Sequence, residues 1–132
     1  MEEKKRSQDL ENWLALTLRY RRKEREMEQR VAQVSGLCLN EYYLLYLLSN
    51  RAEKKIRLQD AQELIQMSQS ALSRLVKRLE ESMEEPLVGR SICNKDRRGV
   101  YIRLTEAGQD LCDIVTEEIR GIVEGAAEDI CR

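Results

Sequence analysis

The chain has 132 residues, of which 42% are hydrophobic and 36% charged, with one proline and no phenylalanine. This length allows one domain with a modest core, and the composition is typical of a helix-rich globular protein rather than a disordered one. No apolar run approaches the ~20 residues that cross a bilayer, and the first residues, MEEKKRSQD, lack the apolar core of a signal peptide, so we expect a cytoplasmic protein.

The net charge of −1 hides an uneven distribution along the chain. Residues 51 to 105 contain 12 basic and 8 acidic side chains, whereas residues 106 to 132 contain 2 and 8. A basic middle segment beside an acidic tail favours a middle segment that faces DNA.

The residue types present do not favour a catalytic site or a metal site. Histidine is absent, which removes the commonest general base and the usual partner of a serine or cysteine nucleophile. The six glycines form no phosphate-binding loop, and the four cysteines form no CxxC pair of the kind that binds zinc. We therefore expect neither an enzyme nor a cofactor or metal site. The cysteines are Cys38, Cys93, Cys112 and Cys131.

The first predicted element is one long helix over about residues 7 to 34, which Gly36 ends. The middle of this helix, RYRRKEREMEQR, is too charged to be buried on every side, so the helix is expected to pack at its ends and to meet water between them. Its apolar stripe consists of Leu10, Trp13, Leu14, Leu18, Met27, Val31 and Val34.

Short elements are predicted next. Asn40 is expected to cap a second helix, EYYLLYLLSNR, and Ile56 with Leu58 is expected to form a short strand. Residues 60 to 66 have helical spacing, and a tight turn around Gln66 and Met67 leads to Ser68, a good N-cap for the next helix.

That next helix, SQSALSRLVKRLEE, has an unusual polar face. At 100° per residue, one stripe is apolar, and Ser70, Ser73, Arg74 and Lys77 lie nearly opposite with no acid among them. Two short helices joined by a tight turn, the second with such a face, indicate a helix-turn-helix whose second helix enters the major groove. A solvated helical hairpin would show the same periodicity. The apolar stripe is Leu72, Leu75, Val76 and Leu79.

A β-hairpin is predicted after Pro86. The strand-like segments LVGRSIC and GVYIRL flank the charged turn NKDRRG. A hairpin directly after a helix-turn-helix is a wing, and Lys95, Arg97 and Arg98 at its tip suit the minor groove. A solvated hairpin tip is the alternative.

Thr105 is predicted to cap a last helix that runs to the end of the sequence. Its outer side is acidic, and its apolar stripe consists of Leu111, Val115, Ile119, Ile122, Val123, Ala126 and Ile130. Because so long a helix projects beyond a winged core, we expect its stripe to pack against the first helix and the same helices of a second subunit. The residues expected at this dimer interface are Leu10, Trp13, Leu14, Val115, Ile119, Ile122 and Ile130.

Taken together, SQSALSRLVKRLEE, followed by Arg90, Asp96, Arg98, Leu104, Thr105 and Gly108, resembles the MarR family of bacterial winged-helix regulators, with its pattern D-x-R-x5-LT-x2-G. The resemblance covers about residues 37 to 108. It implies a homodimer that binds pseudopalindromic double-stranded DNA and regulates transcription, with Arg98 in the minor groove and Asp96 fixing the wing. Many such proteins respond to small anionic or phenolic ligands and some to cysteine oxidation, so a small-molecule effector is also implied.

The chain departs from that pattern in three places. Gln66 stands where a helix-turn-helix often has glycine, and the link ESMEEPLVGR before the wing is long. The C-terminus has room for about one helix, where the family often has two. These departures bear on docking angle and subunit spacing.

The predicted fold is mainly α with a small β-hairpin (α+β), in three segments. Residues 1–36 and 106–132 are expected to be dimerisation helices, and residues 37–105 a winged helix-turn-helix domain. We expect Ser68 and Ser70 to bind phosphates. The residues expected at base edges are Gln69, Ser73, Arg74 and Lys77, and those expected in the wing are Lys95, Asp96, Arg97 and Arg98.

Two other functions stay open at this point. One is a thiol-based redox-sensing regulator, with Cys38 as its sensor, since Tyr42 and Tyr43 lie close in sequence as hydroxyl donors. The other is a helical protein-interaction module that does not bind DNA, which would leave the basic hairpin tip without a role.

Overall fold

The computed structural model describes residues 2–81, 84–92 and 99–131, with side chains as far as residue 128. Helix α1 spans Glu2–Ser35 and α2 spans Leu39–Ser49, after which a 3-10 turn at Ala52–Lys54 leads to strand β1, Lys55–Arg57. The helix-turn-helix follows as α3, Leu58–Ile65, and α4, Gln69–Glu81. The hairpin consists of β2, Val88–Ile92, and β3, Val100–Leu104, and the chain continues with α5, Glu106–Val123, and α6, Ala126–Cys131.

The strands form a three-stranded antiparallel sheet in the order β1-β3-β2. Ile102 in β3 is paired with Ile56 on one side and with Arg90 on the other. The mainly helical fold with a small hairpin is confirmed, and the hairpin gains β1 as a third strand. The predicted strand position of Leu58 is wrong, because Leu58 is the first residue of α3.

The core lies between α2, α4, the sheet and α5. The whole apolar stripe of α4 is buried in it, as its periodicity predicts. Leu44, Leu45 and Leu48 of α2 and Ile102 of β3 are fully buried in the same cluster. Burial of each such side chain contributes ~1.5–3 kcal/mol, so α4 is held in place mainly by its apolar face.

Two local predictions need correction. The N-cap of α2 is Cys38 rather than Asn40, because the Cys38 amide donates to Oε1 of Glu41 at 2.9 Å and its carbonyl accepts the Tyr42 amide at 3.1 Å. The last helix is not continuous: α5 ends at Val123, and Gly125, with φ 75°, turns the chain into α6. The expectation of one C-terminal helix instead of two is therefore wrong.

The turn between α3 and α4 forms without glycine. Gln66 adopts the left-handed conformation at φ 62° and ψ 48°, and its amide donates to the Gln62 carbonyl at 2.9 Å. This is the usual αL end of a helix, which glutamine enters at some cost in strain. The departure at Gln66 thus leaves the turn intact.

The long helices meet within one chain. Val31 of α1 and Val115 and Ile119 of α5 are buried in the single-chain core. The reasoning that Val115 and Ile119 need a second subunit is therefore wrong. By contrast, Leu10, Trp13 and Leu14 in the first half of α1 are 67%, 66% and 52% exposed.

Two predicted interface residues remain, Ile122 and Ile130. Ile122 is half-buried, and the side chain of Ile130 lies outside the described residues. None of the helices in the described part of the chain combines the length and apolar character that a bilayer span requires.

Candidate nucleic-acid interface

The outer face of α4 is polar and basic. Gln69, Ser70, Arg74 and Lys77 are exposed, and Ser73 is half-buried. No acidic residue occurs in α4 before Glu80, so three turns of helix present amides, hydroxyls and cations only. Such a surface can approach phosphates and base edges without charge repulsion. The sequence reasoning missed Arg78, which is exposed on the same helix, one turn after Arg74.

Ser68 caps α4 as predicted. Its Oγ accepts the Ala71 amide at 3.2 Å and lies 3.4 Å from Oγ of Ser70. Because the cap uses Ser68 as an acceptor, its hydroxyl proton stays available to another acceptor. The free amides of the first turn of α4 favour an anion at this position.

A polar cleft of about 470 Å³ opens beside the start of α4. Four elements meet there: the last residue of β1, the N-terminal part of α3, the first residue of α4 and the start of β3. Sequence reasoning missed its contributions from β1 and α3, although Gln59 and Gln62 are three residues apart and therefore share a face. The residues that line the cleft include Arg57, Gln59, Gln62, Gln69 and Gly99.

The cations of β1 are held against the sheet. Nζ of Lys55 lies 5.4 Å and Cζ of Arg57 lies 5.9 Å from the centre of the Tyr101 ring, which is within cation–π range. Nζ of Lys55 also forms a salt bridge with Oε2 of Glu53 at 2.8 Å. This charged hydrogen bond raises the pKa of Lys55 and lowers the pKa of Glu53. The edge of the sheet next to the cleft is thus positively charged at neutral pH.

The base of the hairpin is fixed by Thr105. Its Oγ1 accepts the Gly108 amide at 3.0 Å and donates to the Pro86 carbonyl at 2.6 Å, while its own amide donates to the Leu87 carbonyl at 3.2 Å. Thr105 therefore caps α5, as predicted, and also holds the long link that precedes the hairpin. The predicted tip residues Lys95, Asp96, Arg97 and Arg98 lie outside the described residues.

A model of the protein family described as transcriptional regulator SarA/Rot matches residues 26–115 of the chain. The chain belongs to the SarA/Rot family of transcriptional regulators. Members of this family are regulators of transcription rather than enzymes. A comparison with curated protein sequences gave no significant match.

Solved structures place this SarA/Rot family member in the winged-helix fold of MarR-type regulators. Sco3205, a MarR family regulator from Streptomyces coelicolor in complex with DNA, is 22% identical, with a TM-score of 0.83 over 93% of this chain and 75% of that chain. AbsC, a MarR family regulator from the same organism, is 29% identical, with a TM-score of 0.79 over 89% and 77%. The regulator BldR from Sulfolobus solfataricus is 25% identical, with a TM-score of 0.75 over 98% and 87%.

The environment of Cys38 does not favour a redox role in this SarA/Rot regulator. Cys38 is half-buried, and burial raises the pKa of its thiol, which reduces the reactive thiolate at neutral pH. Tyr42, which the redox alternative requires as a hydroxyl donor near Cys38, forms its hydrogen bond with Oγ1 of Thr116 at 2.7 Å. Among the described residues, no three cysteine or acidic side chains are grouped to hold a metal ion.

Proposed function

We propose that this SarA/Rot regulator binds double-stranded DNA sequence-specifically as a homodimer on a pseudopalindromic site, with α4 in the major groove and the hairpin tip in the minor groove. The observation that carries the proposal is the exposed face of α4, which has no acid from Gln69 to Leu79. Sco3205, which shares this fold, was solved in complex with DNA, and this supports DNA binding by the present chain. A cytoplasmic location remains a prediction of this function.

The predicted DNA-contacting residues at the start and on the outer face of α4 have different proposed roles. Ser68 and Ser70 bind phosphates at the helix N-terminus. Gln69, Ser73 and Arg74 read base edges, where a bidentate arginine–guanine pair is worth ~1–3 kcal/mol. Lys77, about one turn after Arg74, binds either a base edge or a phosphate.

The hairpin tip completes the proposed contacts. The cleft beside Gly99 places the start of β3 next to the N-terminus of α4. The basic tip residues Lys95, Arg97 and Arg98 are the proposed minor-groove contacts. The resemblance to the MarR family implies that Arg98 is inserted and that Asp96 fixes the tip. We propose that residues 37–105 form the winged helix-turn-helix domain and that residues 1–36 and 106–132 form the dimerisation helices.

The proposed dimer interface centres on the first half of α1. A helix of 34 residues is ~51 Å long, so its first half extends well away from the buried residue Val31. Leu10, Trp13 and Leu14 there are more than half exposed, and large adjacent apolar side chains in a regulator of this size indicate a protein interface. A two-fold dimer presents two copies of α4, so half-sites should lie about one helical turn, ~10 base pairs, apart.

A groove between α1, α2 and α3 is the proposed effector site. It is lined by aromatic and apolar side chains, the amide of Asn40 and one carboxylate, Glu24. The hydrogen bond from Tyr20 to Glu24 raises the pKa of Tyr20 to about 12. Because that carboxylate repels anions, the groove favours a neutral phenol. Phenol should release bound DNA more effectively than salicylate, and a Tyr43→Ala variant should respond to neither. The remaining lining residues include Tyr46, Leu47, Leu64 and Ile65.

The test of DNA binding is selection of bound duplexes from a random-sequence pool, followed by footprinting on a selected site. An inverted repeat protected on one face supports the dimer on DNA. A single asymmetric half-site bound by one subunit would contradict the proposed symmetry, and failure to retain any duplex at ~100 mM salt would contradict DNA binding altogether.

Two variants of α4 separate the two kinds of contact. Arg74→Ala should weaken the selected site by ~1–3 kcal/mol and relax the base preference at one position. If Lys77 binds phosphate, Lys77→Ala should weaken all duplexes alike and lower the salt slope by about one unit. Arg120→Ala is the control, because it removes the same charge from α5, where Arg120 pairs with Glu117 at 2.8 Å. This control should leave the affinity unchanged.

A further inference from the structure

Arg90 joins the hairpin to α4. It lies in the middle of β2, and its Nε donates to Oε1 of Glu80 at 2.6 Å. Its Nη2 also lies 3.5 Å from the backbone carbonyl of Ser73, at the limit of hydrogen bonding. The Glu80 and Arg90 side chains are 29% and 40% exposed, so the pair lies at the surface and not in the core.

The backbone forms a second link between the same two elements. The Leu87 amide donates to the Leu79 carbonyl at 2.9 Å, immediately before β2 begins. Val88 at the start of β2 is buried, whereas Arg90, Ser91 and Ile92 are exposed, so the core fixes the base of the hairpin but not its outer part. The Glu80–Arg90 pair joins α4 to β2 where the strand leaves the core, so it limits the movement of the outer hairpin relative to α4.

The charges of Glu80 and Arg90 do not favour a direct electrostatic contribution of this pair to DNA binding. Glu80 is the first acidic residue of α4, and a carboxylate on a helix that faces phosphates should weaken binding. Arg90, on the hairpin, is of a type that usually binds phosphate, but its guanidinium is directed to Glu80. The two charges are engaged with each other.

We propose that Glu80 and Arg90 are positioning residues, which set the angle between α4 and the hairpin so that major-groove and minor-groove contacts form together. The inference rests on the proposed DNA-binding function. A hairpin already held at its bound angle loses less conformational freedom on binding, which increases affinity without adding any contact to DNA.

The decisive variant is Glu80→Gln, for which positioning and electrostatics predict opposite results. Positioning predicts that affinity for a duplex selected from the random pool falls about three- to fivefold, the fold-change equivalent to ~0.7–1 kcal/mol and near the upper limit for an exposed ion pair. Simple electrostatics predicts that removing a negative charge from α4 strengthens binding. Because no charge that touches DNA is lost, the salt slope should stay unchanged.

Glu81→Gln is the matched control. It makes the same change in charge one residue further along α4, and Glu81 has no ion pair among the described residues. Its affinity should equal or slightly exceed that of the wild type. A double charge reversal, Glu80→Arg with Arg90→Glu, should bind within about twofold of the wild type, whereas each single reversal should bind more weakly.

Several outcomes would overturn the inference. If Glu80→Gln binds as tightly as Glu81→Gln, Glu80 acts only through its charge. If Arg90→Glu weakens binding equally with and without Glu80→Arg, and the salt slope falls, Arg90 binds phosphate directly. Thermal unfolding of each variant confirms that it is folded. Failure of the wild type to bind any duplex would instead refute the proposed function itself.

Discussion

Replacing Gly108 with alanine should destabilise the fold, although the same change in most helices stabilises it. A Cβ at this position would lie 2.1 Å from the Leu87 carbonyl oxygen and 2.7 Å from Cδ1 of Leu104. The leucine side chain can move, but the carbonyl belongs to the backbone of the link before β2. That carbonyl also accepts the Thr105 amide at 3.2 Å, so displacing it weakens the hydrogen bond at the base of the hairpin.

The magnitude follows from two opposing terms. Overpacking a tight site costs ~1–3 kcal/mol, and a contact this short with backbone belongs at the upper end. Alanine regains ~1 kcal/mol of helix propensity over glycine, so the net loss should be about 2 kcal/mol. Gly121 lies in the same helix with no atom within 4 Å of its virtual Cβ, and Gly121→Ala should gain up to ~1 kcal/mol. The two variants should therefore differ by about 3 kcal/mol.

Urea unfolding followed by far-ultraviolet circular dichroism measures both variants. Each should be measured at two protein concentrations, because a dimer makes the midpoint depend on concentration. In thermal unfolding the Gly108→Ala variant should melt ~6–10 °C below the wild type. A midpoint at or above the wild-type value would refute the packing explanation of this glycine, and equal shifts in both variants would show that helix propensity decides.

Three further predictions concern other elements of the structure. Ser68→Ala removes the oxygen that accepts the Ala71 amide and should cost ~1 kcal/mol in urea unfolding, whereas Ser68→Asp should retain the cap. Trp13→Glu charges a surface that is 66% exposed and should give folded monomers in light scattering, whereas Ile119→Glu, at a site 3% exposed, should unfold the chain; a dimeric Trp13 variant would contradict the α1 interface. Burial raises the pKa of Cys38, so its alkylation by iodoacetamide, mapped by peptide mass spectrometry, should be slow at pH 7 and still rising at pH ~9; a plateau below pH ~8 would restore the redox alternative.

The elements that sequence predicts well are those specified by their own residues. The stripe Leu72, Leu75, Val76 and Leu79 has the period of a helix and is buried as a unit. Ser68 and Thr105 are caps because a short hydroxyl can accept the amide three residues on. Each of these signals depends on residues about one helical turn apart. They can therefore be recognised in the sequence without knowledge of any tertiary contact.

The elements that sequence misplaces depend on distant partners or on competing local choices. Lys55–Arg57 is a strand because β3, more than forty residues later, pairs with it. The α2 cap moves from Asn40 to Cys38 because the Glu41 carboxylate reaches back to the Cys38 amide, which makes the side chain at the cap position less important. Gly125 ends α5 in the left-handed conformation, although an apolar stripe continues past it. Glu80 and Arg90 are ten residues apart and lie in two different elements, so sequence periodicity does not predict that they form a pair.

The apolar stripes of the long helices show a limit of periodicity itself. A stripe predicts that one face of a helix is covered, but it carries no information on whether the cover comes from the same chain or from a second copy. Val115 and Ile119 are covered by their own chain, while Leu10, Trp13 and Leu14, with equally regular spacing, are not. On α5, Ile114 and Val123 are 55% and 50% exposed and lie outside the buried face. A second subunit should therefore contact the first half of α1 and the outer apolar residues of α5, because these large side chains lack the cover that their own chain gives to Val115.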